Sequence, residues 1–312
     1  MAEAPLVAAL ILNFRLPAAT AQCVADLQQS GHPRLCTLVL DNGSGDGSVA
    51  RLQRTSSQAT IIGLPRNLGY CTAMNLGLDW ARRQGAELVL FLNNDVRMPA
   101  GFLPPLVDVL ASDADVGAVA PTVLRPDGKV WCQGADLAFH SNLVRLRGEG
   151  SPPAPTTEGP HAVDFLPGAC VLFRLADLEA VGGLDADYFM YWEDADLCLR
   201  LRARGKRCVW LPWTRVVHEP SASSGGGRTP LRKFLSAANA VRFLRAHGTP
   251  KLWLAWLLFD CLGLPLALLG GTGLRATWAK ACGTAAGLSG RAITTSDVER
   301  WLEGDRGHNR SP

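Results

Sequence analysis

The first hundred residues alternate between short, almost continuously apolar runs and stretches with helical spacing. The apolar runs predict four strands: LVAALIL (6–12), CTLVLD (36–41), ATIIGL (59–64) and ELVLFLNND (87–95). Helices are predicted between them, over 18–29, 47–53 and 71–84. Strands with no polar alternation are typical of parallel sheets buried on both faces. The order predicts an α/β fold: an open, mostly parallel sheet flanked by helices, forming a Rossmann-like nucleotide-binding half.

Polar residues stand where these predicted strands end. The positions are Asn13, Asp41, Asn67 and the run Asn93-Asn94-Asp95. Ligands of open α/β sheets bind beyond the carboxyl ends of the strands. The pattern therefore predicts a nucleotide-binding crevice at this edge of the sheet.

The middle of the chain mixes strand and helix signals with two flexible-looking segments. Strands are predicted over 163–174 and 208–213, and a helix is predicted from Ala195, with Asp196 and Arg200 paired at i,i+4. SPPAPTTEGP (151–160) is interpreted as an exposed loop. EPSASSGGGRTP (219–230) follows His218 and is interpreted as a hinged lid.

The C-terminal region has a different pattern, and we place a domain boundary at residue 230. Residues 231–247 predict a basic amphipathic helix, and 252–270 form a strongly apolar stretch. Asp260, Gly263 and Pro265 count against a transmembrane span. A helical hairpin lying on or partly in the cytoplasmic leaflet, anchored by Trp253, Trp256 and the basic residues before them, is favoured over a span. Helices packed on the preceding domain or on a second subunit are the other alternative.

Composition narrows the class of protein. The chain has 312 residues, 47% of them hydrophobic and 19% charged, which excludes wholesale disorder. Nine cysteines without a CxxC pair indicate reduced thiols in a cytoplasmic protein, and the apolar N-terminus is interpreted as a first strand instead of a signal peptide.

Charge is distributed unevenly although the net charge is only +3. The segment from Arg200 to Lys251 contains twelve Lys or Arg residues and one acidic residue, Glu219. Such a block suits a phosphorylated substrate, an acidic membrane surface or nucleic acid. No aromatic–basic RNA motif accompanies it, so a nucleic-acid partner is not favoured.

Two motifs in the first hundred residues suggest nucleotide chemistry. Asp95, at the end of an apolar strand, could hold a divalent cation that also binds phosphate oxygens; turn chemistry is the alternative. Asp41 could accept hydrogen bonds from a base or ribose, or could simply belong to a turn. Arg66, Asn67 and Asn75 offer further polar contacts, or shape the start of a helix.

The stretch YFMYWEDADLCLRLRARG (188–205) places three carboxylates directly after an aromatic run. Acidic residues in a first helical turn complement the helix dipole, which accounts for Asp196. An aromatic surrounding would also raise a carboxyl pKa and exclude water, as a general base requires. His218 could reach the same site as a neutral metal ligand.

The ordered set of motifs resembles family 2 glycosyltransferases of the bacterial rhamnosyltransferase type. The motifs span residues 6–224: LILNF, LDNGSGDGS, RNLGYCTAMNLGL, FLNNDV, FLPGACVLFR, GGLDADYFMYWEDADLCLRLRARG and VVHEPSASS. The resemblance implies a glycosyltransferase A-type fold, a nucleotide-sugar donor, a divalent metal (Mg²⁺ or Mn²⁺) and inversion at the anomeric carbon. It does not cover the last 80 or so residues, although such enzymes often carry a membrane-associating helical tail.

The resemblance also implies roles for individual residues. Asp194 would be the catalytic base, and Glu193 would orient either this base or the acceptor. Asp95 and His218 would bind the metal. Asn93 stands where an Asp is frequent, which would lower metal affinity. The implied donor-binding residues are Asn13, Asp41, Arg66, Asn67, Asn75, Asn93, Asn94, Asp95 and Arg228. The implied acceptor-binding residues are Gly168, Ala169, Cys170, Tyr191 and Trp192.

We therefore predict a catalytic domain over residues 1–230 and a helical, membrane-associating region over 231–312. The predicted activity is metal-dependent transfer of rhamnose or a similar hexose to a glycan or lipid-linked glycan in cell-surface polysaccharide synthesis. The predicted location is the inner face of the cell membrane. The sequence leaves open whether the protein forms a homo-oligomer. A nucleotide-sugar-binding pseudoenzyme or assembly subunit is the main alternative. A sugar-phosphate nucleotidyltransferase is disfavoured because ILNFRLPAAT offers no glycine-rich phosphate loop.

Overall fold

The predicted parallel strands form one half of a ten-stranded sheet in the computed structural model, which describes residues 3–153, 159–219, 229–262 and 273–306. The spatial order in this half is β3-β2-β1-β4, with all neighbours parallel. The strands are β1 (Val7–Asn13), β2 (Leu35–Asp41), β3 (Thr60–Gly63) and β4 (Leu88–Asn93). The register pairs Asn13 with Asp41 and Leu12 with Asn93. The polar strand ends therefore meet at one edge, as the sequence predicts.

The other half of the sheet is mixed. Its strands are β5 (Val96–Arg97), β6 (Val116–Leu124), β7 (Val130–Cys132), β10 (His161–Val163), β11 (Cys170–Arg174) and β12 (Arg207–His218). A separate pair consists of β8 (Ala135–Leu137) and β9 (Val144–Leu146). Strand β11 runs antiparallel to β4, and β12 pairs antiparallel with β5. This second pairing brings the end of β12 beside the end of β4.

Helices cover both faces of the sheet and bury two cores. The helices of the first 210 residues are α1 (Pro17–Leu27), α2 (Ser48–Thr55), α3 (Tyr70–Arg83), α4 (Leu103–Ser112), α5 (Leu175–Ala180) and α6 (Glu193–Ala203). One core contains apolar residues of α3 and α6 against alternate strand positions, and the other contains those of α1 and α4. The sequence did not predict α4 or β6.

The C-terminal helices are α7 (Pro230–His247), α8 (Pro250–Trp256), α9 (Leu274–Ser289) and α10 (Thr295–Arg306), with a π-helical stretch at Leu257–Cys261. Helices α7 and α8 each begin at a Thr-Pro pair. The hydroxyl of Thr229 caps α7 and that of Thr249 caps α8, and a proline occupies the first helical position of each. Most of the apolar face of α7 is buried.

Helices α7 and α9 approach each other closely. A Cβ on Gly283 would overlap the backbone of Phe234, and one on Gly287 would overlap that of Ala238. Small residues four apart allow this contact, as in other closely packed helix pairs. Helix α7 also contacts α6, so the region after residue 230 packs onto the catalytic region.

The apolar C-terminal stretch does not contain a spanning helix within the part of the chain that the structure describes: none there is both long enough and apolar enough to cross a bilayer. Residues 263–270 of the predicted 252–270 segment lie outside the described residues.

The basic block from Arg200 to Lys251 is partly neutralised by acidic residues outside the block, one on the same helix and four on other elements. The ion pairs are Arg200–Asp196, Arg202–Asp164, Lys206–Asp177, Arg207–Asp113 and Arg242–Asp187. The block is therefore not one continuous positive surface, because counting charges along the chain ignores carboxylates that folding brings alongside.

Candidate active site

A chain of buried hydrogen bonds connects the ends of β1, β2 and β4. Asn94 Nδ2 donates to Thr20 Oγ1 (2.9 Å), and Thr20 Oγ1 donates to Asn13 Oδ1 (2.7 Å). Asn13 Nδ2 then donates to Asp41 Oδ2 (2.6 Å). Ser44 donates to the same carboxylate through its backbone N–H and its hydroxyl. Asn13, Asp41 and Asn94 thus lie together as predicted, and the chain fixes their orientation.

Next to Asp41, a second amide network shapes the loop before α3. Asn42 Nδ2 donates to Asn67 Oδ1 (2.9 Å), and the N–H of Leu68 donates to Asn42 Oδ1 (2.9 Å). Gly43 passes so close to the backbone of Arg66 that no Cβ would fit there. The side chain of Arg66 itself is exposed at the surface of this loop.

Asn75 has a different place from the one expected of a donor-binding residue. Its amide donates to the carbonyl of Leu184 (2.7 Å) and accepts from the N–H of Leu184 (2.9 Å). Both ends of the side chain are therefore used to hold the segment before α6. In this structure Asn75 has a positioning role, and its predicted contact with the donor stays a prediction.

The metal-binding prediction concerns Asp95 and His218, which the structure places side by side. His218 Nε2 lies 3.1 Å from Asp95 Oδ1. The contact follows from the β5–β12 pairing, which sets His218 opposite Val96. The imidazole also packs against the indole of Trp131, with ring centroids 4.9 Å apart. Asn93, at the end of β4, is half-buried and donates its backbone N–H to the carbonyl of Ala169.

These two groups fit a divalent cation that shares its coordination with a substrate. One carboxylate and one imidazole supply hard and intermediate donors suited to Mn²⁺ or Mg²⁺. Within the described ranges, no group of three His, Cys, Asp or Glu side chains could form a complete metal site. The remaining ligands would come from phosphate oxygens and water, as is usual at nucleotides.

Asp194 is a desolvated carboxylate at the start of α6. The N–H of Gly168 donates to Asp194 Oδ2 (3.1 Å), and the N–H of Ala195 donates to Asp194 Oδ1 (2.8 Å). Burial raises the pKa of this carboxyl above its ordinary value, and the two backbone hydrogen bonds oppose the increase. Such a group can be ionised near neutral pH and still be a stronger base than an exposed aspartate.

Glu193 differs from its neighbour. Its carboxyl Oε2 is buried. Burial, and then the charge of Asp194, raise the pKa of Glu193 to about 8. With that pKa, Glu193 is chiefly in its neutral form at pH 7. Two like-charged carboxylates held this close would repel each other.

The aromatic run before these carboxylates is chiefly a packing element. Tyr188 is buried in the core that contains α3 and α6, at 1% exposure, and Phe189 is buried in a cluster with Phe234 of α7, at 6% exposure. Trp192 packs against Phe243 of α7 with ring centroids 4.7 Å apart. The aromatic rings that enclose the carboxyls come from elsewhere in the chain. They line a cavity of about 10 Å³ together with Glu193 and Asp194: Tyr70, Phe91 and Phe173. The aromatic residues that precede the two carboxylates in the sequence are therefore not the ones that line this cavity.

The predicted acceptor-binding residues are divided by burial. Gly168 lies beside Asp194, with its Cβ position 3.8 Å from Asp194 Cβ. Ala169, just before β11, and Cys170, its first residue, are 1% and 0% exposed and lie in the core that contains α1 and α4. Their predicted place beside the acceptor stays a prediction. Tyr191 and Trp192 are half-buried.

Asp196 supports the site from behind, as its predicted pairing with Arg200 suggests. Arg200 contacts Asp196 Oδ2 at 2.7 Å and also donates to the carbonyls of Val181 and Gly183. His247 of α7 contacts Asp196 Oδ1 at 2.8 Å.

Two residues of the site, His247 and Thr20, were not predicted from the sequence. The available signal for Thr20 was a Thr three residues after a Pro in a βα turn. Arg228 lies outside the described residues.

The chain is similar in sequence to known glycosyltransferases. The sequence profile of "Glycosyl transferase family 2" matches residues 11–182. The chain is 27% identical over 274 residues to the N-acetylglucosaminyl-diphospho-decaprenol L-rhamnosyltransferase of Mycobacterium tuberculosis, covering 81% of this chain and 89% of the relative. It is 34% identical over 182 residues to the O-antigen biosynthesis protein RfbC of Myxococcus xanthus, covering 55% of this chain and 14% of that protein.

Among solved structures, the fold is similar to a mannosyltransferase of Pyrobaculum calidifontis, PcManGT, that was solved with GDP-Man and Mn²⁺. The TM-score is 0.57 at 20% identity, covering 97% of this chain and 80% of the other. At that identity, the likeness shows the fold. The family profile covers more than half of the chain, and the site contains the acidic and amide groups that the motifs predicted. The chain belongs to glycosyl transferase family 2, and it is a nucleotide-sugar-dependent glycosyltransferase with a glycosyltransferase A-type fold.

Proposed function

We propose that this enzyme transfers L-rhamnose or a similar hexose, with inversion, to an N-acetylglucosaminyl-diphospho-polyprenol or a related glycan acceptor in cell-surface polysaccharide synthesis. The observation that carries the transfer chemistry is Asp194: a half-buried carboxylate held by two backbone N–H groups beside a neutral Glu193. The choice of sugar and acceptor rests on the mycobacterial relative, which matches over most of both chains.

The proposed reaction is a single displacement. Asp194 Oδ removes the proton from an acceptor hydroxyl, and the hydroxyl oxygen forms the new bond to the anomeric carbon. The bond from that carbon to the nucleoside diphosphate breaks, and the diphosphate leaves with the bonding electrons. Attack from the face opposite the departing group inverts the anomeric centre. Positioned base catalysis of this kind contributes about 10²–10⁴-fold.

The donor would lie along the network at the strand ends. Asp41 is held in one orientation by Asn13 and Ser44, so its remaining lone pairs can accept hydrogen bonds from the base or ribose. The side of this crevice nearest the diphosphate would be formed by Asn93, Asn94 and Asp95. The other side would be bordered by Asn67 and the exposed Arg66. Arg228 is retained as a proposed contact to the diphosphate.

Asp95 and His218 would hold a divalent cation, Mg²⁺ or Mn²⁺. When bound, such an ion neutralises charge that develops on a leaving diphosphate. The adjacency of the two side chains at 3.1 Å supports this assignment.

The C-terminal region would bring the enzyme to lipid-linked acceptors at the inner face of the membrane. Its described residues expose an apolar patch on α8, the π-helical stretch and α9. The patch consists of Leu254, Leu257, Leu258, Phe259, Leu262, Leu274 and Trp278, each 41–80% exposed. Exposed Lys251 and Arg275 flank it, which favours an anionic bilayer over a second copy of this chain. On this basis we keep residues 1–230 as the transfer domain and 231–312 as the supporting and membrane-facing region.

Vesicle flotation tests the membrane surface. The full-length enzyme should float with anionic vesicles, and Leu274→Ser combined with Trp278→Ser should remove that binding without changing thermal stability. Binding that survives the double change, or a concentration-dependent dimer that the change abolishes, would contradict the membrane assignment.

A donor panel tests the activity itself. Nucleoside-diphosphate sugars, including a rhamnose donor, would be incubated with N-acetylglucosaminyl-diphospho-polyprenol, with and without Mn²⁺ or Mg²⁺. The proposal predicts a rhamnosylated product of inverted anomeric configuration. Donor binding with no transfer to any glycan acceptor would instead support the pseudoenzyme alternative.

A further inference from the structure

The five residues that lead into the catalytic helix have an uncommon backbone conformation. Phe189, Tyr191 and Trp192 have φ values of 60°, 71° and 74°. These values lie in the left-handed region of the backbone, which residues other than glycine rarely adopt. At Phe189, ψ is −58° and the N–H of Met190 donates to the carbonyl of Tyr188 (2.6 Å). This is a γ-turn with a positive central φ, the rare and strained form.

Strained segments of this kind persist only where the surroundings hold them. The carbonyl of Phe189 accepts the N–H of Tyr70 (2.7 Å) at the start of α3. Three other carbonyls of the segment converge on a single nitrogen, Nδ2 of Asn239. Asn239 donates to the carbonyls of Tyr188 (2.6 Å), Met190 (2.8 Å) and Tyr191 (3.1 Å). All four carbonyls before Trp192 therefore have partners supplied by α3 or α7.

Asn239 is an unusual residue for its place. It is 0% exposed on the apolar face of α7, between Leu235 and Phe243, where a buried amide is costly unless it is hydrogen-bonded. Helix α9 packs against α7 through the close backbone contacts of Gly283 with Phe234 and of Gly287 with Ala238. Asn239 lies outside residues 11–182, which the family profile matches.

We infer that Asn239 is a positioning residue for transfer: it fixes segment 188–192 so that Glu193 and Asp194 enter α6 in a single orientation. The inference rests on the proposed role of Asp194 as the base. It makes the C-terminal region part of the catalytic apparatus, since the group that sets the approach to the base is carried by α7.

The chemistry of the side chain explains why an asparagine stands here. Its short side chain ends in an NH₂ group with two hydrogens. These can donate to three convergent carbonyls if one hydrogen is shared between two of them. Aspartate has the same shape but offers only acceptors, which would face carbonyl oxygens. Serine retains one donor, and alanine retains none.

The test compares Asn239→Ser, Asn239→Ala and Asn239→Asp with wild type. Turnover, kcat, should fall in the order wild type, Ser, Ala, Asp, with a loss of at least about tenfold for Ala. The Kd of the donor's nucleoside diphosphate should stay within about twofold, because its proposed binding groups lie at the strand ends. Hydrogen–deuterium exchange of the 188–197 peptide should rise in the same order as kcat falls.

Leu106→Ala, on α4, is the control, because it removes a buried leucine from the core around α1 and α4, which contains no residue of segment 188–192. It should lower thermal stability while leaving kcat and exchange of the 188–197 peptide close to wild type. If the control changes both as much as Asn239→Ala does, the role is general packing and the inference fails. Should the Asp variant not fold, the Ser and Ala variants carry the comparison.

Failure of this inference is distinguishable from failure of the proposed function. If Asp194→Asn abolishes transfer while Asn239→Ala retains normal kcat and exchange, only the positioning role is wrong. If Asp194→Asn retains turnover, the base assignment is wrong, and the exchange measurement still reports whether Asn239 holds the segment.

Discussion

Replacing Glu193 with glutamine should remove a pH-dependent loss of stability. The buried carboxyl has its pKa raised from 4.5 to about 8, first by burial and second by Asp194. In the unfolded chain the same group titrates near its ordinary value. A raised pKa means that the folded protein favours the protonated form, so the contribution of Glu193 to stability is complete at acidic pH. That contribution is lost as the pH rises through about 8.

The size of the effect follows from the difference between the two pKa values. One pKa unit corresponds to about 1.4 kcal/mol, so the full loss between pH 4.5 and a pH above 8 is roughly 5 kcal/mol. Glutamine has nearly the same shape and does not ionise. The Glu193→Gln variant should therefore be close to wild type at pH 5 and more stable than wild type at pH 9.

Urea unfolding at a series of pH values from 5 to 9 measures this difference. Glu179→Gln is the matched control, because Glu179 is half exposed on α5 and forms an exposed ion pair with Arg82 at 3.9 Å. The control should follow wild type across the range. A change of less than about 1 kcal/mol in the difference between Glu193→Gln and wild type would refute the assignment of Glu193 as a buried neutral acid.

Two further predictions concern the other side of the site. His218→Ala should weaken Mn²⁺ binding by at least about tenfold, measured by calorimetry in the presence of a nucleoside diphosphate. The control His140→Ala, in an exposed loop, should leave the affinity unchanged. Equal Mn²⁺ affinity in the two variants would exclude His218 as a ligand. Thr20→Val should cost about 1–3 kcal/mol in the free energy of unfolding, because it leaves Asn13 Oδ1 and Asn94 Nδ2 without the hydroxyl that joins them. The exposed Thr55→Val change should cost much less, and equal costs would show that the buried chain contributes no stability.

The sequence was sufficient to predict the parallel half of the fold and the meeting of its strand ends. Continuous apolar runs determine parallel strands, and parallel strands place their carboxyl ends at one edge. Asn13, Asp41 and Asp95 could therefore be grouped without coordinates. The motif resemblance supplied the family, which the profile match over residues 11–182 confirms.

The surroundings of the catalytic carboxylates could not be predicted in the same way. The aromatic run next to Glu193 and Asp194 in sequence packs mainly against α7, and rings from α3, β4 and β11 enclose the carboxyls instead. Those contacts depend on how distant elements cross. Local sequence shows only that a ring is near in the chain, not which way the backbone directs it.

The C-terminal region shows a similar limit. Its helical and apolar character could be predicted from residue spacing, whereas the role of Asn239 could not. A single asparagine within LSAANAVRFL gives no signal in periodicity, because its importance comes from three carbonyls about 50 residues earlier in the chain. The close contact of α7 with α9 depends likewise on Gly283 and Gly287, whose spacing is meaningful only once the partner helix is known.

The most direct test of the central claim is the turnover of Asp194→Asn, measured together with donor binding. The asparagine keeps the shape of the side chain but cannot remove a proton. We expect kcat to fall by at least about 10²-fold while the Kd of the nucleoside diphosphate remains close to that of wild type. Turnover near the wild-type rate with the same donor and acceptor would contradict the assignment of Asp194 as the base.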